Sequence, residues 1–110
     1  MSSTEAFQRA TCITALYPEA GQGTERALNY AIVGLGDETG EVLGKWKKHL
    51  RGDGVFSIED LQDEVGDVLW YAARIAEETN TTLEEIMRRN VAKLMDRKDR
   101  GVIMGNGDKR

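Results

Sequence analysis

Apolar residues recur at helical spacing along most of this 110-residue chain, and period-2 alternation is nearly absent. Only Gly54-Val55-Phe56 hints at a strand. A chain patterned this way folds as packed helices. Punctuation divides it into four. A first helix is predicted from about Ser3 to Leu16, with Phe7, Ala10, Ile13 and Leu16 or Tyr17 on one face; Pro18 helps end it. After a short loop from Glu19 to Gly23, Thr24 caps a second helix running to about His49, with Leu28, Ile32, Leu35, Val42, Leu43 and Trp46 as its apolar stripe. Arg51-Gly52-Asp53-Gly54 is a turn. Ser57, with Asp60 three residues on, opens a third helix to about Thr79 in the style of a capping box. Its wide apolar face, from Leu61 to Ala76, suits burial against several neighbours. Thr82-Leu83-Glu84-Glu85 reads as a full capping box for a fourth helix to about Arg100, with Leu83, Ile86, Met87, Leu94 and Met95 inward and Gly101 as its C-cap. Residues 1–101 form one helical domain by size and pattern; residues 102–110 are a tail expected to be mobile or to pack on a neighbouring subunit.

Within the second and third helices lie two pairs of carboxylates spaced i, i+3: Glu38 with Glu41, and Glu64 with Asp67. Residues three apart share a helix face, with Cβ atoms about 5–6 Å apart. Two such helices packed face to face would gather four carboxylates, each pair repelling by about 4 kcal/mol at 4 Å and an effective dielectric near 20. A divalent cation relieves that repulsion, and hard oxygen ligands suit Mg²⁺, Mn²⁺ or Ca²⁺. With 19 acidic residues, other pairs arise by chance, as at Asp60/Asp63 and Asp96/Asp99. The chosen pairs differ in being set among Leu35, Val42, Leu43, Val65, Val68, Leu69 and Trp70. Gly36, Gly40, Gly44 and Gly66 sit beside them, where a backbone or ligand could approach closely. The lone histidine, His49, completes neither pair, which argues against a di-iron Glu-x-x-His site; a solvated or capping role suits it.

Phosphate binding would need cations nearby. Asn90, Lys93, Arg97 and Arg100 share one face of the fourth helix, and Lys45 and Lys48 follow Glu41. Tyr71 is the aromatic best placed for a base; Trp46 and Trp70 read as core. A net charge of −4 and a pI near 5.0 argue against broad nucleic-acid binding. No apolar run reaches the length of a membrane span, and no signal peptide is expected. The single cysteine, Cys12, fits a reduced, cytoplasmic setting and reads as a helix-core residue. A chain this short buries a thin core, so oligomerisation is expected.

The acid spacing, the run Asp63-Glu64-Val65-Gly66-Asp67-Val68-Leu69-Trp70-Tyr71, and the later Asn90-Val91-Ala92-Lys93-Leu94-Met95-Asp96-Arg97 together resemble the MazG-type nucleoside triphosphate pyrophosphohydrolases over roughly residues 25–101. That resemblance implies an all-α, four-helix MazG-like bundle completed by oligomerisation, as a homodimer or homotetramer. It implies hydrolysis of a (d)NTP to monophosphate and pyrophosphate with Mg²⁺, Mn²⁺ being the alternative. Glu38, Glu41, Glu64 and Asp67 would ligate the metal, Glu41 serving also as general base. Asn90, Lys93 and Arg97 would contact phosphates. Nucleotide-pool cleansing or regulation is the implied role. Phosphoribosyl-ATP pyrophosphohydrolase shares the acid pattern, and a non-catalytic helical assembly that binds metal is the reading from another class.

Overall fold

The computed structural model describes residues 1–108 and is all-α: α1 (Ser3–Thr14), α2 (Glu25–Leu50), α3 (Ile58–Glu78) and α4 (Leu83–Arg100). Each helix start has its side-chain cap. Ser2, Thr24, Ser57 and Thr82 accept from the backbone N–H three residues on, at 3.1, 3.2, 3.0 and 3.0 Å. At Ser57 the box is complete, because Asp60 accepts back from the Ser57 N–H. At Thr82 it is not: the Glu85 carboxylate is held instead by Arg88 at 2.7 and 2.8 Å. α1 stops at Thr14, two residues short of the predicted end, and Ala15 is already extended. Pro18 disfavours helical backbone just before it. Gly101 ends α4 at φ +73°, the left-handed conformation its place requires.

α2 and α3 form an antiparallel hairpin, with Gly34 opposite Tyr71 and Lys45 opposite Glu64. α1 and α4 pack on α3 and on each other; α2 and α4 do not touch. The close approach of α2 to α3 falls at Gly34, where an added Cβ would lie 2.1 Å from the Tyr71 ring. Gly36, Gly40, Gly44 and Gly66 have nothing within 4 Å of a Cβ position among the described residues, so none of them is a point of close approach there. Among the described helices none is long and apolar enough to cross a membrane.

The interior is small-sided and polar. Ala27, Ala31, Ala73 and Ala76 are fully buried, while the largest fully buried side chains are Arg74 and Thr11. Arg74 lies on α3 and donates to the hydroxyls of Tyr17 (3.1 Å) and Thr11 (3.2 Å), with Glu78 one turn on at 3.7 Å. Glu78 also accepts from Tyr17 Oη and from the backbone N–H of Gly21 (2.7 Å) and Gly23 (2.9 Å), which ties the α1–α2 loop to α3. Burial alone would raise the Glu78 pKa; the bonds from Tyr17, Gly21 and Gly23 and the Arg74 charge outweigh it and hold the carboxyl below its usual range. Burial and the bond to Glu78 push the Tyr17 hydroxyl up to about 12.

This buried pair reverses the expected orientation of α1. Its inward face carries Gln8 and Thr11, which serve Arg74, Glu77 and the α4 N-terminus, while Phe7, Ile13 and Leu16 are exposed. A buried guanidinium needs partners more than an alkyl chain needs cover. Cys12 is exposed rather than core, its sulfur 3.1 Å from Arg74 Nη1. On α4 only Leu83 of the expected inward residues is buried; Ile86, Met87, Leu94 and Met95 are exposed. Ile32, Val33, Leu43, Val65 and Leu69 are exposed too. The radius of gyration is 16.6 Å, against about 13 Å for a compact domain of this length. The helices therefore do not close into a bundle within one chain. The tail folds back on its own α4, where Asp108 pairs with Lys93 and Arg97; positions 109 and 110 lie outside the described residues.

Candidate metal centre

The antiparallel pairing of α2 and α3 sets the two acid pairs against each other. One oxygen each from Glu38, Glu64 and Asp67 can be chosen so that all lie within 4.8 Å of one another. A second such triple is Asp37, Glu38 and Glu41, so Glu38 is common to both. Asp37 was missed in the sequence, although its i, i+4 spacing to Glu41 places the two on one side of α2.

Glu38 is the half-buried member common to both triples. Burial first, then the charges of Glu41, Asp67 and Glu64, raise its pKa above the usual carboxylate range. Two carboxylate oxygens, Glu38 Oε2 and Glu64 Oε2, are buried with no hydrogen-bond partner. Each buried unsatisfied acceptor costs about 1–3 kcal/mol or more when charged. Lys45 answers part of the charge by pairing with Glu64 Oε1. That bond is the first cause of its raised pKa, and it leaves Glu64 Oε2 open. One ammonium does not neutralise five carboxylates. The donors present are all oxygen, and they come from facing helices. They fit a hard divalent cation, which Glu38, Glu64 and Asp67 would hold.

Two cavities reach this cluster. One, of about 330 Å³, is lined by Thr14, Glu38, Asp67, Trp70 and Tyr71. Its aromatic wall is fixed: Trp70 Nε1 donates to Thr14 Oγ1 at 2.8 Å, and the Trp70 and Tyr71 rings meet edge-on at 4.9 Å. Thr14 of this wall was not foreseen, because nothing local in the sequence marks a threonine at a helix end. The other cavity, of about 410 Å³, is lined by Lys45, Lys48, His49, Asp60, Asp63 and Glu64 among others. His49 acts as a cap there, its Nδ1 accepting from the Phe56 N–H at 3.1 Å. Trp46 is partly exposed and stacks on His49 at 5.0 Å rather than filling the core.

The basic stripe of α4 stands apart. Since α4 does not touch α2, the chain does not itself bring Asn90, Lys93 or Arg97 onto the helix of Glu38 and Glu41. Asn90 and Lys93 line a separate cavity of about 320 Å³ with Ile86 and Arg89. Arg97 is almost wholly buried, its guanidinium bonded to Gly107 O and Asp108 Oδ1 of the tail.

Comparison with known proteins agrees with this layout. Residues 27–102 match the MazG nucleotide pyrophosphohydrolase domain, a span containing the five clustered acids and the α4 stripe but neither α1 nor most of the tail. The "Gene 37 protein" of Mycobacterium phage L5 is 46% identical over 111 residues, covering 96% of this chain and 97% of that protein. No solved structure matches significantly. The match over residues 27–102, a span that includes both facing acid pairs, places this chain in the MazG nucleotide pyrophosphohydrolase family.

Proposed function

We propose that this chain hydrolyses a nucleoside triphosphate to the monophosphate and pyrophosphate, with Mg²⁺ as its cation, and does so as a homo-oligomer. The observation that carries the reading is the pair of buried, unpartnered oxygens, Glu38 Oε2 and Glu64 Oε2, on facing helices and on residues of one acidic cluster. Family membership supplies the reaction class.

Glu38, Glu64 and Asp67 would hold the cation, which when bound neutralises phosphate charge and makes a water more acidic. Glu41 is exposed beside Glu38 and is free to take the proton of the attacking water. Water oxygen bonds to the α-phosphorus, the bond from that phosphorus to the bridging oxygen breaks, and pyrophosphate leaves. The cavity walled by Thr14, Trp70 and Tyr71 suits a nucleoside, since bases stack on aromatic rings with about 1–3 kcal/mol each. Phosphates extending past Glu64 would meet Lys45 and Lys48. Asn90, Lys93 and Arg97 would reach them from a second subunit, docked through the exposed apolar residues of α2, α3 and α4.

The test is substitution of Glu38, Glu41, Glu64 and Asp67 by alanine, one at a time. Each variant should keep its helical circular dichroism and lose turnover by two orders of magnitude or more, with Mn²⁺ binding by paramagnetic resonance weakened at Glu38, Glu64 and Asp67. A variant with near-parental turnover removes that residue from the site.

A further inference from the structure

Asp108 sits where two cations of α4 converge. Its Oδ1 lies 3.0 Å from Lys93 Nζ and 3.3 Å from Arg97 Nη2, and the same guanidinium nitrogen donates to Gly107 O at 3.4 Å. Lys93 also lines the basic cavity with Arg89 and Asn90. One carboxylate oxygen is thus shared by an ammonium and a guanidinium, the arrangement these groups make with a phosphate oxygen. Arg97 is 5% exposed in this state, whereas Asp108 is 78% exposed. A buried guanidinium thus meets a carboxylate that is itself open to solvent. The hydrogen bonds from Lys93 and Arg97 keep the Asp108 carboxyl below its usual range, so it is fully charged at neutral pH.

We infer that residues 102–108 are an autoinhibitory strap: Asp108 occupies Lys93 and Arg97 in place of a polyphosphate, and an incoming phosphate chain displaces it. The inference rests on the proposed nucleotide reading for the identity of the anion. The strap's competition is measured without turnover. An exposed carboxylate in such pairs is a weak competitor, which suits a strap that must yield. A triphosphate brings more charge to the same two cations, so occupancy is decided by the difference between the two anions. Displacement would also uncover the guanidinium of Arg97.

The experiment is titration of inorganic tripolyphosphate into the full-length chain, into Asp108→Asn, and into a chain ending at Met104, by calorimetry in chelator. Both variants should bind about fivefold more tightly than the parent. In nucleotide turnover, Asp108→Asn should lower KM by a similar factor with kcat unchanged. Equal or weaker tripolyphosphate binding by both variants overturns the strap, as does a loss of melting temperature with no change in affinity, which would mark Asp108 as a structural clamp alone. Absence of any nucleotide turnover in the parent, with tighter tripolyphosphate binding by both variants, would overturn the nucleotide reading and leave the strap standing.

Discussion

Replacing Glu38 by glutamine should make the metal-free protein more stable and the metal-loaded protein relatively less so. Glu38 shares a 4.8 Å cluster with Glu64 and Asp67. At that separation and an effective dielectric of 20, each like-charge pair costs about 3.5 kcal/mol. Lys45 offsets part of the Glu64 charge, and water screens the exposed Asp67 and Glu41, so the relief on neutralising Glu38 is about 1–3 kcal/mol. For a chain of this length that is a rise of roughly 4–12 °C in metal-free Tm. The sign follows from the pKa. Glu38 binds its proton more readily folded than unfolded, so its own contribution to metal-free stability is fully present below its ordinary value of 4.5 and is lost as pH rises through the raised folded value. The gap between variant and parent should therefore be wide at pH 8 and close near pH 4. Saturating Mg²⁺ should reverse the order, since ligand at a hundred times its Kd adds about 2.7 kcal/mol to a protein that binds it. Differential scanning fluorimetry with chelator and with Mg²⁺ reads all of this. A metal-free Glu38→Gln protein that melts below the parent at pH 8 would refute the reasoning, because the carboxylate would then be net stabilised by its surroundings.

Other outcomes follow from particular contacts. Gly34→Ala should cost about 1–3 kcal/mol by chemical denaturation, because its Cβ would overlap the Tyr71 ring; the same change at Gly36 should not, since nothing lies within 4 Å. Glu78→Gln should cost about 3–5 kcal/mol by leaving Arg74 charged and buried without its carboxylate. The parent's stability should decline as pH falls from about 4.5 through the lowered Glu78 value, and the variant should show a shallower acid limb. Lys45→Met should tighten Mn²⁺ binding two- to fivefold in the absence of nucleotide, because the ammonium competes for Glu64; weaker binding would mean that Lys45 organises the site instead.

The helices and the acid cluster were legible in the sequence for local reasons. Caps at Ser57 and Thr82 and the glycine at 101 act within a few residues of themselves, and i, i+3 spacing guarantees that Glu38 and Glu41 share a face. An antiparallel hairpin then needs only the turn at 51–54 to bring Glu64 and Asp67 opposite. What was not legible depends on neighbours. Periodicity shows which face of α1 is apolar, but Arg74 on α3 decides which face turns inward, and it selects Gln8 and Thr11. Beyond Leu83, the apolar residues of α4 satisfy the helical pattern and still stay exposed among the described residues. Glycines 36, 40 and 44 have the spacing of a close contact, yet the contact is made at Gly34, because the bulky partner on α3 is Tyr71. The strap escaped notice because Asp108 and Arg97 are joined only once the left-handed residue at Gly101 turns the chain back.

The most direct measurement is pyrophosphate release from a panel of ribo- and deoxyribonucleoside triphosphates, with Mg²⁺ and with chelator, and with phosphoribosyl-ATP alongside. Monophosphate and pyrophosphate in equal amounts from at least one triphosphate, only when Mg²⁺ is present and not with Glu38→Gln, is the expected result. A folded, metal-binding protein that turns over none of the triphosphates would contradict the proposed function.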